Sequence, residues 1–243
     1  MTYCVGLLLD AGIVLLADTR TNAGIDDISI FRKLFFFEQP GERVIALMTS
    51  GNLSVTQTVI DRLTHDAERA DATPATSILL AETMLDVAEI VGRTLFEVSV
   101  SIRGRMRQMD QAPSASASLI LGGQRRGGGL RLFLIYPEGN FITATDDTPY
   151  LQIGEFKYGK PILDRVVRPS TSLAEGRKVA LLSMDSTMRS NLSVGMPLDL
   201  AIIRRDEHRV GVRERFEPGD PRFSEMSDAW GRALRTAFLD MPD

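Results

Sequence analysis

Two hydrophobic periods alternate along the chain. Residues 3–9 and 13–17 are short apolar runs rich in Val, Ile and Leu, separated by Asp10-Ala11-Gly12, and this combination predicts an N-terminal β-hairpin. Both faces of each run are apolar, so the hairpin is expected in the interior of a sheet that is covered on both sides. A polar loop is expected over residues 19–29. Residues 31–38 and 44–48 predict a second hairpin, joined through Gln39-Pro40-Gly41-Glu42, where Pro-Gly is strong turn chemistry. Ser50-Gly51-Asn52 ends that strand. Over residues 53–67 the period lengthens to that of a helix, with Val55, Val59, Ile60 and Leu63 on one face.

Thr73-Pro74 reads as the start of a second helix running to about Phe96, with Ile78, Leu79, Met84, Leu85, Val87, Ala88 and Val91 on a broad apolar face. Residues 117–121, 130–136 and 140–145 read as strands, linked by a glycine-rich loop and by Pro137-Glu138-Gly139. Residues 154–166 and 172–192 predict two further helices, 197–204 another strand, and 223–239 a C-terminal amphipathic helix. Strands, two helices, strands and two helices in that order predict an α+β fold: a four-layer αββα sandwich of two antiparallel sheets flanked by helices. One domain over residues 1–243 is expected.

Composition narrows the function classes. A chain of 243 residues, 44% hydrophobic, can bury one substantial core. Its 28 basic and 32 acidic residues give a net charge of −4 without a polybasic run, which argues against a nucleic-acid partner. A single cysteine, Cys4, and two separated histidines, His65 and His208, argue against a disulfide or a metal centre, and no cofactor is implied. The first apolar run is short and broken by Asp10, so neither a secretory signal nor a membrane span is expected, and the expected setting is cytoplasmic. Cys4 reads as a buried structural thiol, residues 122–129 as a flexible hairpin loop, and the two histidines as surface residues. Asp185, in a mainly apolar helix, reads equally as a group approaching a site or as a helix-surface carboxylate.

The residue that stands out chemically is Thr2. A small second residue permits removal of Met1, leaving a threonine with a free α-amine. That amine, with an ordinary pKa of about 7.7–8.0, can take the proton of the neighbouring hydroxyl. With a turn centred on Ala11-Gly12, paired residue numbers would sum to roughly 23, which brings Asp18 near the Thr2 end. Lys33 on the following strand would supply a cation that lowers the hydroxyl pKa, with Asp18 holding it charged and oriented.

The segments Thr2-Tyr3-Cys4-Val5-Gly6, Leu16-Ala17-Asp18-Thr19-Arg20, Arg32-Lys33-Leu34 and Ser50-Gly51 together resemble the N-terminal third of proteasome β-type subunits. The continuation Thr21-Asn22-Ala23-Gly24, the segment Thr49-Ser50-Gly51-Asn52-Leu53 and residues 153–161 look particularly like the bacterial Anbu family, and the resemblance covers most of the chain. It implies an N-terminal-nucleophile (Ntn) hydrolase fold and a threonine-type peptidase or amidohydrolase. Its nucleophile, aspartate and lysine would fall on Thr2, Asp18 and Lys33, with an oxyanion donor from the Gly51 backbone. It also implies a homo-oligomer, as a ring or an open helical ring, acting on a peptide or amide substrate. The family's Arg-Asp-x-x-Ser-Gly stretch matches Arg189 to Val194, which makes Ser190 and Ser193 the candidate supporting groups. Ser190 stands where the family has aspartate, and Glu155 follows Gly154 where the family carries a serine. These departures leave two alternatives: a non-catalytic assembly subunit, and a hydrolase of small or isopeptide amides.

Overall fold

The computed structural model describes residues 1–22, 28–108 and 115–242. One five-stranded antiparallel sheet has the order β10-β1-β2-β11-β12, built from β1 (Tyr3–Leu9), β2 (Gly12–Asp18), β10 (Tyr150–Gly154), β11 (Leu198–Arg204) and β12 (Val212–Phe216). A second has the order β5-β6-β7-β8-β9, from β5 (Leu34–Gln39), β6 (Arg43–Gly51), β7 (Ala117–Arg125), β8 (Arg131–Ile135) and β9 (Phe141–Thr143). Strands β3 (Arg20–Asn22) and β4 (Ile28–Ile30) pair separately. The helices are α1 (Leu53–Glu68), α2 (Met84–Gln108), α3 (Lys160–Val166), α4 (Leu173–Ser190) and α5 (Pro221–Leu239). None of the described helices is long and apolar enough to cross a membrane.

Three apolar cores explain the doubly apolar strands. Tyr3, Val5, Leu7, Val14 and Leu16 point to α3 and α4, while Cys4, Ile13, Leu15 and Ala17 point at the other sheet. In β6 the alternation repeats: Ile45 and Leu47 face α1 and α2, and Val44, Ala46 and Met48 face the first sheet. Period-two alternation therefore feeds two different cores from one strand. The result is the expected αββα sandwich, and Cys4 is fully buried in its central layer.

Several expected boundaries shift for identifiable reasons. The first hairpin pairs Cys4 with Ala17 and Leu9 with Gly12, so its turn lies at Asp10-Ala11, one residue earlier than expected. Asp18 consequently falls opposite Tyr3. Helix α2 starts at Met84, not Thr73, because Thr83 and Asp86 cap it reciprocally: the Asp86 N–H donates to Thr83 Oγ1 and the Thr83 N–H to Asp86 Oδ2. The preceding Ile78 and Ala81 carbonyls instead accept from the buried Arg43 guanidinium. It continues past Phe96 because Val98 and Ile102 extend its buried face. The expected helix over 154–166 gives way to strand β10 up to Gly154, and only α3 remains helical. Part of the expected polar loop over 19–29 is the β3–β4 pair, and residues 23–27, including Ala23 and Gly24, lie outside the described residues.

Helix α4 carries Asp185, which is buried but turned away from the N-terminus. Its Oδ1 accepts from Ser227 Oγ at 2.7 Å and its Oδ2 from Arg189 Nε at 3.1 Å, while Arg189 Nη2 donates to Ser227 Oγ at 2.7 Å. This triad clamps the first half of α5 onto α4. His208 is half-buried with positive φ, so it is not the simple surface residue expected.

Candidate active site

Thr2 enters β1 almost completely buried, with its carbonyl accepting from the Glu155 N–H at 2.7 Å. Next to it, the Tyr3 N–H donates to Asp18 Oδ1 at 3.1 Å. Asp18 ends β2 with no exposed surface. Its Oδ1 also accepts from Lys33 Nζ at 2.8 Å, and its Oδ2 accepts from the Gly195 N–H at 3.3 Å. Lys33 immediately precedes β5 and is also buried; its second bond goes to the Arg20 carbonyl at 2.5 Å. An ammonium has three donors, so two fix Lys33 while it lines the same cleft as Thr2. Burial pushes the Asp18 carboxyl above its ordinary range, against the pull of Lys33 and the two backbone donors.

The cleft over these residues has a volume of about 330 Å³. Gly51 and Gly154 form part of its wall. Gly51 ends β6 at φ +113, and a Cβ there would lie 2.4 Å from the Ser116 carbonyl oxygen. The Thr49 N–H donates to the Lys33 carbonyl and the Asn52 N–H to the Ser116 carbonyl, so strand alternation turns the Gly51 N–H toward the Lys33 side of β6, beyond the first residue of β5. Gly51→Ala is expected to destabilise the fold by about 1–3 kcal/mol, because it combines left-handed strain with a backbone collision; urea unfolding measures this, and an unchanged midpoint would contradict the packing described.

Residues 2–203 match the Proteasome subunit family. The chain belongs to that family. It is 43% identical to Anbu (ancestral beta-subunit) from Yersinia bercovieri, covering 99% of this chain and 97% of that one at a TM-score of 0.91. It is 46% identical to an Anbu (Gly-1) mutant from Hyphomicrobium sp. strain MC1, with 100% and 99% coverage and a TM-score of 0.91. A third structure, the helical assembly of the Anbu complex from Pseudomonas aeruginosa, is 44% identical, with 99% and 97% coverage and a TM-score of 0.91. No curated protein sequence matches the chain. The chain is thus a proteasome β-type subunit of the Anbu kind with the Ntn-hydrolase sandwich.

Within this Anbu-type fold Thr2, Asp18, Lys33 and Gly51 converge, whereas the two serines do not. Ser190 is exposed at the end of α4, and Ser193 is half-buried with its N–H donating to Asn191 Oδ1 at 2.9 Å. Neither lines the cleft. The residue between them that reaches the Thr2 region is Asn191, whose Nδ2 donates to Glu155 Oε2 at 2.8 Å and lies 3.8 Å from Met1 Sδ. Gly195 and the Arg20 carbonyl were also missed in the sequence. Both act through backbone atoms, which leave no side-chain signature.

Proposed function

We propose that the chain is an N-terminal threonine amidohydrolase of the proteasome β type, with Thr2 as nucleophile and its own α-amine as base once Met1 is removed. The observation that carries this reading is the buried Asp18–Lys33 pair, 2.8 Å apart, whose lysine lines the cleft that Thr2 and Gly51 share. While Met1 is attached, the Thr2 nitrogen is an amide and has no basic lone pair. Its release creates the base beside the hydroxyl.

The α-amine takes the proton of Thr2 Oγ1 as the oxygen attacks the amide carbonyl carbon. The Lys33 charge favours the developing alkoxide, and the Gly51 N–H faces the oxyanion. The C–N bond then breaks, the departing nitrogen takes the proton from the ammonium, and an ester remains on Thr2. Water adds to that ester, giving its proton to the α-amine. The ester C–O bond breaks and Oγ1 regains the proton. Net hydrolysis consumes one water and needs no cofactor.

The substrate class is a peptide or a smaller amide, and a panel of peptides, isopeptides and simple amides separates these. The reading extends to one working domain over residues 1–243 and to a cytosolic homo-oligomer, supported by the helical assembly of the P. aeruginosa relative. The decisive test is mass spectrometry of the natural protein before and after treatment with an acylating electrophile. A mature N-terminus at Thr2 that becomes acylated is expected. A chain that retains Met1 overturns the proposal and favours a non-catalytic assembly subunit.

A further inference from the structure

The cleft holds a charge that the mechanism above does not use. Among the described residues, Lys33 and Glu155 are the ionisable side chains lining it. Lys33 is neutralised from below by Asp18 at the end of β2. Arg20, on β3, turns its Nη1 to the Leu192 carbonyl at 2.8 Å, on the loop after α4. Among the described residues, the Glu155 carboxylate is therefore the unmatched charge at the mouth of the site. Removing Met1 places one new cation there, the α-ammonium of Thr2.

Glu155 is held tightly enough to meet it. Its N–H donates to the Thr2 carbonyl at 2.7 Å. The preceding Gly154 adopts φ +82, and a Cβ there would lie 1.9 Å from that same Thr2 carbonyl and 3.2 Å from Ser50 Oγ, so the turn wraps directly against the nucleophile. The carboxylate is fixed by Asn191. The Asn191 N–H donates to the Thr187 carbonyl at 2.9 Å and its Oδ1 accepts from the Ser193 N–H at 2.9 Å, which leaves Nδ2 for Glu155 Oε2. Glu155 Oε1 has no hydrogen-bond partner among the described residues. The Asn191 amide also lies 3.8 Å from Met1 Sδ, so this pair already borders the residue whose removal frees the amine.

We propose that Glu155, held by Asn191, is the positioning group for the α-amine of mature Thr2: it orients the amine toward Oγ1 and stabilises the ammonium that forms as Oγ1 attacks. This inference rests on the Thr2 reading. An adjacent carboxylate favours the charged amine, so it raises the pKa of that group. Losing the carboxylate lowers that pKa and moves the acidic limb of the rate profile to lower pH. It also weakens the base and slows the step at the plateau.

The test follows acylation of the mature protein by p-nitrophenyl acetate as a function of pH, with the acetyl group located by peptide mass spectrometry. Wild type is expected to acquire the acetyl on Thr2. Glu155→Gln is expected to shift the acidic limb down by about one pH unit and to slow the plateau several-fold. Glu155→Asp, which keeps the charge, restores much of the limb position, and Asn191→Ala shifts it in the same direction as Glu155→Gln by a smaller amount. Superposable limbs for wild type and both Glu155→Gln and Asn191→Ala overturn the inference while leaving Thr2 as nucleophile. Absence of acetyl-Thr2 in wild type at every pH overturns the Thr2 reading and this inference together.

Discussion

Thr2→Ala is expected to abolish hydrolysis, lowering the rate by on the order of 10⁴–10⁶-fold, the range seen when a nucleophile is removed from an otherwise intact site. The variant deletes the hydroxyl and a methyl group but keeps the carbonyl that Glu155 holds and the N–H of Tyr3 that binds Asp18. Its thermal midpoint should accordingly stay within a few degrees of wild type. Thr2→Ser, which preserves the hydroxyl and amine, should retain activity within about tenfold. Initial rates on a fluorogenic amide, read beside circular dichroism melts, check both. Undiminished turnover by folded Thr2→Ala would remove Thr2 from the reaction.

The parts of this site visible in the sequence are those whose position follows from strand periodicity. Tyr3 to Leu9 and Ile13 to Ala17 are apolar on both faces because one face packs on helices and the other on a sheet. That burial fixes the hairpin, and the hairpin brings Asp18 to the Thr2 end even though the turn lies one residue earlier than expected. Lys33 and Gly51 are legible through the resemblance carried by Arg32-Lys33-Leu34 and Ser50-Gly51; Lys33 falls just before β5 and Gly51 at the end of β6.

What escaped the sequence lies where periodicity stops. Helix α4 ends at Ser190, and Asn191 leaves it with φ −142 and ψ 105, so side chains beyond that point no longer follow the helical spacing. Matching the family's Arg-Asp-x-x-Ser-Gly stretch pointed to Ser190 and Ser193, while the chain turns Asn191 toward Glu155. Asp185 and Arg189, four residues apart on α4, face α5 and spend their polar groups on Ser227. Strand β12 escaped because its sequence VRERF places charges on a sheet edge, Arg213 exposed and Glu214 and Arg215 half-buried in ion pairs with Arg177 and Asp199, instead of forming an apolar run. β10 was hidden because residues 154–166 read as one helix, whereas Gly154, at φ +82, ends the strand and α3 begins only at Lys160.

The Asp18–Lys33 pair separates stability from chemistry, and its variants carry the second large effect. Both members are buried, so removing one leaves the other as an uncompensated charge, at a cost of about 3–5 kcal/mol. Asp18→Asn and Lys33→Met should each lose that much in urea unfolding. The double variant should be more stable than either single one, because it removes both charges together, yet it should remain inactive for want of the cation beside Thr2. In Lys33→Met the Asp18 carboxyl keeps only its two backbone donors, and its pKa, already raised by burial, rises further. A carboxyl whose folded pKa exceeds its unfolded value of about 3.9 binds more protons in the native state. Stability of this variant relative to wild type is therefore greatest below that unfolded value and declines as pH rises through the raised native one. The same stability difference at acid and neutral pH would show that Asp18 does not carry the charge. A double variant less stable than both singles would show that the two residues do not act as one buried pair.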